Sequence, residues 1–378
     1  MDAAGLSPSI TLAIDALSPN LTGIGRYCWE LCTRLPGQEE LDRVHFYRDG
    51  TMPSDPAVFL RARLPWVTRL RRHRWARKLQ RSSLQRRMRD SLFHSPNFFL
   101  PPMAEDGIIT VHDLSVFRYP ETHPPERVRQ FERQFERTLR KASHILTDSD
   151  TMRQEIIAYT GFPTDRVTTT YMGVSDRYRP YAAEDIRSVL AAEGLEPGQY
   201  ALCVSTLEPR KRLHALLGAW KRLPEGLRRE CPLVLIGARG WANEALMRDI
   251  AIARREGWLR LLGYVAEDAL PFFYAGARLF LYPSIYEGFG LPPIEAMACG
   301  VPTIVSDTSC LPEVTRGASM LVSPDDGPAF AEKIEEALTA TAWRTSAINQ
   351  GRRVAQEYSW DACIDRTIDV YRRQWACR

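Results

Sequence analysis

The chain has 378 residues, 44% of them hydrophobic and 25% charged, which is the composition of a globular protein with about two domains. No run of 18 apolar residues occurs, so a membrane-spanning helix is not expected. The N-terminal stretch lacks the basic start and apolar core of a secretion signal, so we expect a cytoplasmic protein. Its eight cysteines form no CxxC pair or Cys/His cluster, which favours buried free thiols over disulfides or a metal site.

The formal net charge of +4 hides one strongly basic segment, residues 61–90. This segment holds 12 Lys and Arg residues against one acidic residue, a net +11, so the rest of the chain carries −7. Nucleic-acid binding and a solvated arginine-rich helix are two possible interpretations. A third is a helix lying on an anionic membrane surface, because apolar side chains interleave with the arginines: Trp66, Val67, Leu70, Trp75 and Leu79.

The first half of the chain alternates short apolar runs with amphipathic stretches, the pattern of an α/β domain with a parallel sheet. Residues 124–143 have the periodicity of a helix whose apolar face is Val128, Phe131, Phe135 and Leu139. The pattern gives way to Pro and charge near residues 176–184, where we expect a domain boundary. The predicted strands are Ile10–Ala16, Val44–Tyr47, Ser91–His94, Ile108–His112, His144–Thr147 and Val167–Thr170.

The second half repeats this scheme, and its six strands with intervening helices predict a doubly wound sheet of the Rossmann type. Two such domains, residues 1–177 and 178–357, are expected to face each other across a cleft. The predicted strands are Ala201–Ser205, Leu233–Ile236, Leu261–Val265, Leu279–Tyr282, Thr303–Val305 and Met320–Val322. The predicted helices are Leu213–Leu223, Trp241–Glu256, Asp268–Gly276, Pro293–Cys299 and Pro328–Ala340.

Two loops of the first half follow predicted strands, where ligands of such sheets bind. TGIGRY places Gly23 and Gly25 before a helix, but Cys28 stands where a dinucleotide-binding motif needs its third glycine, so a plain tight turn is an open alternative. TVHDLS ends a buried strand with His112 and Asp113, which are expected to face a ligand. The alternatives are a hydrogen-bonded core histidine and an aspartate that caps the next turn.

Two loops of the second half add candidate binding groups. VSTLEPRKRL places Arg210 and Lys211 after a strand, at the start of a helix. Fixed cations there can stabilise the charge on a departing phosphate group, although solvated helix-start cations remain an alternative. In LVLIGARGW, Gly237 lets the loop after its strand pass close to a ligand.

The strongest motif is EGFGLPPIE, residues 287–295, between a predicted strand and a short helix. Its glycines let backbone amides approach an anion, and the proline-opened helix adds free N–H groups and a partial positive charge. Glu295 is expected in the first helical turn, where a carboxylate would repel phosphate and suits a ribose diol instead. Glu287 can accept hydrogen bonds from sugar hydroxyls. Two incidental acids in a βα loop are the alternative.

EGFGLPPIE is a Glu-x7-Glu motif, and with the other motifs in order along nearly the whole chain it resembles the family-4 retaining glycosyltransferases of the GT-B fold. The resemblance implies that Glu295 binds the donor ribose and Glu287 the transferred sugar. It implies a contact between Lys211 and the diphosphate, with Arg210 as a substitute cation, because Ser205 stands where many members have an arginine. It also implies diphosphate contacts from the backbone amides of Gly288, Phe289, Gly290 and Leu291.

The same resemblance assigns roles to further loops. It places the nucleobase on backbone groups around Tyr264 and Val265, and His112 beside the anomeric carbon of the transferred sugar. The loop with Gly23 and Gly25 is expected to face the donor phosphates and the acceptor. The C-terminal helix, residues 358–378, is expected to pack on the first domain. For the basic segment the resemblance favours a membrane over nucleic acid, because similar enzymes use lipid-linked acceptors.

The predicted reaction is hexosyl transfer with retention, and it is expected to need no cofactor and no metal ion, with cationic side chains stabilising the departing charge instead. Resemblance to bacterial mannosyltransferases of surface polysaccharide synthesis points to GDP-mannose as donor and a saccharide or lipid-linked saccharide as acceptor. No carboxylate is identifiable as a nucleophile, so the resemblance favours a front-face route. Alternatives are another GT-B enzyme, such as a sugar-nucleotide epimerase or a phosphorylase, and a non-catalytic nucleotide-sugar-binding protein. A dehydrogenase is disfavoured because no complete GxGxxG occurs.

Overall fold

The computed structural model describes residues 7–61, 88–241 and 244–378. The chain forms two α/β units, each built around a parallel sheet. The first unit comprises Met1–Leu114, Arg129–Met172 and Trp360–Arg378, and the second comprises Ser115–Val128 and Gly173–Ser359. Residues 62–87, which hold most of the basic segment and its predicted membrane surface, lie outside the described residues.

The strands of each unit pair in parallel throughout. In the first unit the order across the sheet is β2-β1-β3-β4-β5-β6, with β1 (Ser9–Ala13), β2 (Arg43–Tyr47), β3 (Leu92–Ser95), β4 (Gly107–Val111), β5 (Ala142–Thr147) and β6 (Val167–Thr169). In the second unit the order is β12-β11-β10-β7-β8-β9, with β7 (Ala201–Val204), β8 (Leu233–Ile236), β9 (Leu259–Gly263), β10 (Leu279–Tyr282), β11 (Thr303–Ser306) and β12 (Met320–Val322).

Helices connect these strands and cover the sheets. Among the described residues they are α1 (Gly23–Arg34), α2 (Ser115–Arg118), α3 (Pro125–Leu139), α4 (Asp150–Thr160), α5 (Ala183–Ala192), α6 (Leu213–Arg222), α7 (Glu225–Glu230), α8 (Glu244–Arg255), α9 (Leu270–Ala275), α10 (Leu291–Ala298), α11 (Leu311–Thr315), α12 (Gly327–Thr339), α13 (Thr341–Gln356) and α14 (Trp360–Ala376). Short 3-10 turns occupy Pro56–Leu60, Pro120–Thr122, Thr164–Arg166 and Pro209–Lys211.

The predicted strands are confirmed, with small shifts that have local causes. Every residue of β4, β8 and β10 is buried, as the continuous apolar runs predict for strands covered on both faces. The strand predicted at Leu261–Val265 instead spans Leu259–Gly263, because Gly263 takes a positive φ of 70° that ends the extended conformation. The apolar face predicted for α3 is also confirmed: Phe135 is buried, and the Phe131 ring packs 4.6 Å from that of Phe99.

The C-terminal helix α14 belongs to the first unit. Its predicted apolar face is buried, namely Trp360, Ile364, Ile368 and Tyr371. The Tyr371 hydroxyl lies 2.6 Å from His94 Nδ1 on β3, and an ion pair joins Asp361 to Arg34 at the end of α1. Side chains distant in sequence therefore tie the end of the chain to the first sheet.

The segment Ser115–Val128 belongs to the second unit, although it directly follows β4 of the first. Trp241 Nε1 donates a hydrogen bond of 2.6 Å to the Thr122 carbonyl, and the Trp241 ring packs 5.7 Å from that of His123. The ring of Tyr119 lies 5.3 Å from that of Tyr286. The prediction of one boundary near residues 176–184 did not anticipate this excursion, because aromatic contacts between distant residues produce it.

The strand orders show where each sheet can bind a ligand. In the second sheet β7 and β10 are neighbours, yet the chain continues from β7 towards β9 and from β10 towards β12. This is the strand order of dinucleotide-binding Rossmann sheets, in which the connections diverge at the centre and leave a crevice at the carboxyl ends. In the first sheet the same reversal lies between β1 and β3, as in flavodoxin-like sheets.

Candidate active site

The two strongest sequence motifs meet at the reversal point of the second sheet. The loop after β7 carries Arg210 and Lys211, and the loop after β10 carries Glu287. Backbone contacts hold the loops together, because the Ile285 N–H donates to the Arg210 carbonyl at 3.1 Å and the Ser284 hydroxyl donates to the same oxygen at 3.4 Å. Residues 76 positions apart in sequence are thereby brought into side-chain contact.

Lys211 and Glu287 form a buried ion pair at this point. The Lys211 ammonium donates to Glu287 Oε1 and, at 3.1 Å, to the Tyr282 hydroxyl, and both partners of the ion pair are less than 10% exposed. Burial by itself would raise the pKa of Glu287, but the charges of Lys211 and Arg210 outweigh it and lower the pKa to about 2. Glu287 is therefore a carboxylate at neutral pH, which accepts hydrogen bonds and has no proton to donate.

The Arg210 guanidinium contacts protein oxygens, one of them on Glu287. Its guanidinium donates to Glu208 Oε1 at 2.9 Å, to Glu287 Oε2 at 3.3 Å and to the Tyr286 carbonyl. The phosphate-binding role expected for Arg210 stays a prediction, and these contacts show that its guanidinium also pairs with the Glu287 carboxylate. Sequence reasoning missed Glu208; its only signal was an acid two residues before the arginine in EPRK.

A serine clamps the loop that contains Glu287. Ser309 Oγ accepts a hydrogen bond of 3.0 Å from the Glu287 N–H and donates one of 2.6 Å to the Glu287 carbonyl. Ser309 itself has a positive φ of 58°, a conformation that costs a non-glycine residue about 1 kcal/mol. Thr308 Oγ1 adds a bond of 3.0 Å to the Ile285 carbonyl. The loop after β11 therefore fixes the backbone on which Glu287 stands, a role that no motif indicated.

The helix after this loop begins earlier than predicted. Gly290 is its N-cap with φ 89°, and α10 runs from Leu291. Glu295 is thus the fifth helical residue, and its predicted place in the first turn is wrong. Pro292 and Pro293 have no N–H to donate, so the backbone amides at the helix start belong to residues 288–291. Glu295 is 4% exposed and therefore largely removed from solvent.

The other donor-side candidates end neighbouring strands of the same sheet. Gly237 follows β8 with φ 150°, and an added Cβ would lie 1.9 Å from the Ser205 carbonyl oxygen, so a side chain cannot be accommodated. Its N–H donates to the Gly263 carbonyl at 2.8 Å, which brings the end of β9 alongside. Beyond β9, Tyr264 is 46% exposed and Val265 is half-buried. The loops after β7, β8 and β9 therefore form one continuous edge.

Phe289 and Leu291 have buried side chains within this loop. Phe289 is 2% exposed, and its ring meets that of Tyr358 edge-on at 5.2 Å. Leu291 is 7% exposed. These side chains anchor the loop to the second unit, and a contribution to ligand binding would come from their backbone amides, as the resemblance implies. Gly288 is buried beside them.

His112 stands at the carboxyl end of β4 in the first unit. Its Nδ1 lies 2.7 Å from Asp148 Oδ2 and its Nε2 lies 2.9 Å from the Pro96 carbonyl oxygen. Burial by itself lowers the pKa of His112, but Asp148 and the Pro96 carbonyl outweigh it, and the pKa is raised above 6.5. Asp148 directly follows β5 and was not among the predicted site residues. Asp113 is half-buried next to His112.

The glycine turn of the first unit opens α1 as predicted. Thr22 caps the helix by accepting from the Gly25 N–H at 3.4 Å. A Cβ on Gly25 would lie 3.1 Å from the Ala16 carbonyl oxygen, so this position is tight, whereas a Cβ on Gly23 would meet nothing within 4 Å. Packing explains the glycine at position 25 and does not explain the one at position 23.

Within residues 7–61, 88–241 and 244–378, no group of three or more His, Cys, Asp and Glu side chains could hold a metal ion. Across the same ranges, no helix has the length and hydrophobicity that crossing a bilayer requires.

Both halves of the chain match glycosyltransferase families. Residues 21–178 match glycosyltransferase family 4, and residues 188–354 match glycosyl transferases group 1. The chain is 37% identical over 377 residues to O-antigen chain mannosyltransferase B of Escherichia coli, covering 96% of this chain and 99% of the relative. It is 33% identical over 239 residues, 62% of this chain and 29% of the relative, to the serotype-specific mannosyltransferase WbdA of Escherichia coli.

Solved structures share the arrangement of strands and helices. WaaG, described as a glycosyltransferase of lipopolysaccharide biosynthesis, matches with a TM-score of 0.71 at 14% identity, over 96% of this chain and 99% of WaaG. Anabaena Alr3699/HepE in complex with UDP and glucose matches with a TM-score of 0.70 at 16% identity, over 96% of this chain and 98% of HepE. The predicted fold class, two Rossmann-like units of the GT-B type, is confirmed.

Proposed function

Because the chain belongs to the family-4 glycosyltransferases and is a hexosyltransferase, we propose that it transfers mannose from GDP-mannose, with retention, to a growing surface polysaccharide. The relative that is 37% identical over nearly the whole chain is an O-antigen chain mannosyltransferase. Its name supports both the sugar and the acceptor class in this proposal. The identity of the base rests on resemblance alone.

The observation that carries the donor site is the buried Lys211–Glu287 pair at the reversal point between β7 and β10. An ammonium has three donors, and contacts to Glu287 and Tyr282 account for two of them. We propose that a phosphate oxygen of the donor takes the third. Glu287 then has an oxygen beside the phosphate position that can accept hydrogen bonds from the transferred sugar.

The remaining roles follow from position around this pair. The amides of residues 288–291 and the positive end of α10 would bind the diphosphate, and Glu295 would bind the ribose diol. Charge on the departing diphosphate would be stabilised by Lys211 and these amides, so we propose that no metal ion is needed. The implied contact of His112 with the transferred sugar stays a prediction.

A panel of nucleoside diphosphate sugars tests this proposal. The purified protein is incubated in EDTA with each donor and a mannose-terminated oligosaccharide acceptor, and products are identified by mass spectrometry and by the anomeric coupling in NMR. We expect GDP-mannose to give an elongated product with an α linkage. Hydrolysis or epimerisation of the donor without elongation would favour a different GT-B chemistry, and turnover that requires a divalent metal would overturn the metal-free proposal.

A lipid-linked acceptor would bring the enzyme to the cytoplasmic face of a membrane, and we propose that residues 61–90 provide the contact. The segment carries a net +11, which anionic lipids attract. Co-sedimentation with vesicles that contain phosphatidylglycerol, compared with phosphatidylcholine vesicles, checks this. Equal recovery with both kinds of vesicle would remove the proposal without affecting the assignment of the donor.

A further inference from the structure

Both ring nitrogens of His112 face hydrogen-bond acceptors. Nδ1 lies 2.7 Å from a carboxylate oxygen of Asp148, and Nε2 lies 2.9 Å from the carbonyl oxygen of Pro96. A neutral imidazole carries one N–H, so one of these contacts would set a nitrogen lone pair against an oxygen lone pair. An imidazolium donates in both directions and satisfies both contacts.

The Asp148 carboxyl group is buried beside His112 and has few other polar contacts in the described part of the chain. Its side chain is 1% exposed, and Oδ1 is buried with no hydrogen-bond partner among the described residues. A buried carboxylate is costly unless it is paired, and the contact with His112 is the ion pair that the structure provides. Charge on both partners therefore leaves a neutral group in the interior.

We propose that Asp148 is a positioning residue that holds His112 as an imidazolium, so that the end of β4 carries a fixed positive charge. An imidazolium donates hydrogen bonds to sugar or phosphate oxygens, and it cannot take the proton of the acceptor hydroxyl. The Pro96 carbonyl keeps Nε2 oriented until such an oxygen replaces it. The charge of His112 is independent of the proposed function, whereas its consequence for transfer rests on that function.

Other ionisable groups surround the pair on several elements. Tyr27 on α1 has its ring 5.1 Å from that of His112, and Cys363 on α14 lies near Asp148. Burial raises the pKa of both, so they stay neutral. On β3, burial and the nearby charge of His112 lower the pKa of His94 to about 3. Asp113 adds a weaker negative charge.

Nuclear magnetic resonance of protein labelled with ¹⁵N in its seven histidines measures the charge directly. The His112 signals are identified as those missing from His112→Gln. At pH 7.5 we expect both His112 nitrogens to be protonated in the wild type. In Asp148→Asn the midpoint of the His112 titration should fall by about one pH unit or more, because an opposite charge at hydrogen-bond distance is removed. Asp150→Asn, the same change at an exposed aspartate, should leave the midpoint unchanged.

A neutral His112 in the wild type at pH 7.5, or an unchanged midpoint in Asp148→Asn, would overturn the proposal whatever reaction the enzyme performs. The wild-type spectrum decides this even if Asp148→Asn does not fold. In the transfer assay, the decline of kcat at alkaline pH should move to lower pH in Asp148→Asn. A purely structural role would lower kcat at every pH and leave the shape of the profile as it was.

Discussion

Glu287 is in contact with two cations, and these contacts keep its side chain charged. Glu208 and Glu287 balance Arg210 and Lys211, so the four side chains form a neutral buried group. Removal of one carboxylate leaves an uncompensated positive charge in a place that is largely removed from solvent. The stability of the second unit and the proposed binding of the donor therefore depend on the same residue.

The variant Glu287→Gln should be destabilised by about 3 kcal/mol, because an amide cannot compensate two buried cations. Urea unfolding monitored by tryptophan fluorescence measures the change. The matched control is Glu225→Gln, which breaks a solvent-exposed ion pair with Arg229 and should cost about 0.5 kcal/mol or less. Equal effects of the two substitutions would contradict the account of a buried charge group.

Local motifs identified Lys211 and Glu287 but missed the residues that hold candidate groups in place. Ser309 lies 22 residues from Glu287, and Asp148 lies 36 residues from His112. A motif states which residue types occur together in sequence. The partner of a side chain depends on how strands pair, and no spacing within one loop records that.

Among the elements, the loop from β10 into α10 depends most on a single residue. Gly290 has φ 89°, which favours glycine, and an added Cβ would lie 2.8 Å from Leu311 Cδ2, so the buried Leu311 side chain would have to shift. Gly257 has a similar φ of 84°, but a Cβ there would meet nothing within 4 Å. Alanine substitutions at the two positions therefore distinguish the cost of the backbone conformation from the cost of the contact with Leu311.

Gly257→Ala should cost about 1 kcal/mol from its positive φ alone. Gly290→Ala should cost more, and it should weaken GDP binding because it displaces the amides that precede α10. Thermal unfolding with and without GDP measures both effects. Retention of the full GDP-induced shift in Gly290→Ala would show that this loop does not bind the diphosphate.

The existence of most strands and helices could be predicted, but their lateral arrangement could not. Continuous apolar runs such as Leu233–Ile236 have no polar face, so they predict buried parallel strands with accurate bounds. The placement of β10 beside β7, which forms the candidate site, follows from connections that have no pattern within one element. The helix α10 begins before the predicted start at Pro293, because Gly290 with its positive φ sets the cap.

At the scale of the whole chain, buried histidines should make stability depend on pH. The pKa of His94 is lowered to about 3 by burial and by His112, and that of His144 to about 4 by burial and by Arg373. In the unfolded chain both titrate near 6.5. Their contribution to stability is therefore complete above pH 6.5 and is lost as the pH falls towards 4 and then 3. His112 behaves oppositely, and its contribution is lost as the pH rises through its raised pKa.

The first unit should accordingly be less stable at pH 5 than at pH 7, by about 1.4 kcal/mol per pH unit for each histidine that stays neutral only when folded. His94→Asn, which has no charge at either pH, should reduce this loss. The exposed His214, in the second unit, provides the control His214→Asn, which should leave the loss unchanged. Urea unfolding at both pH values measures it, and an undiminished loss in His94→Asn would contradict the assignment.

The long-range connections of the chain were the least predictable feature. A helical pattern at the C-terminus does not state which unit the helix joins, and Tyr371 meets His94 across 277 residues. The placement of Ser115–Val128 with the second unit likewise depends on Trp241, more than 100 residues away. Contacts of this kind are determined by the folded shape of both partners.

We propose that a nucleoside diphosphate binds at the reversal point between β7 and β10 with Lys211 on its phosphate. Isothermal titration of GDP in EDTA tests it most directly. We predict that the wild type binds GDP, that Lys211→Ala weakens binding about tenfold or more through loss of a charge-assisted hydrogen bond, and that the exposed control Lys221→Ala binds as the wild type does. Equal affinity of Lys211→Ala and the wild type for GDP would contradict the account.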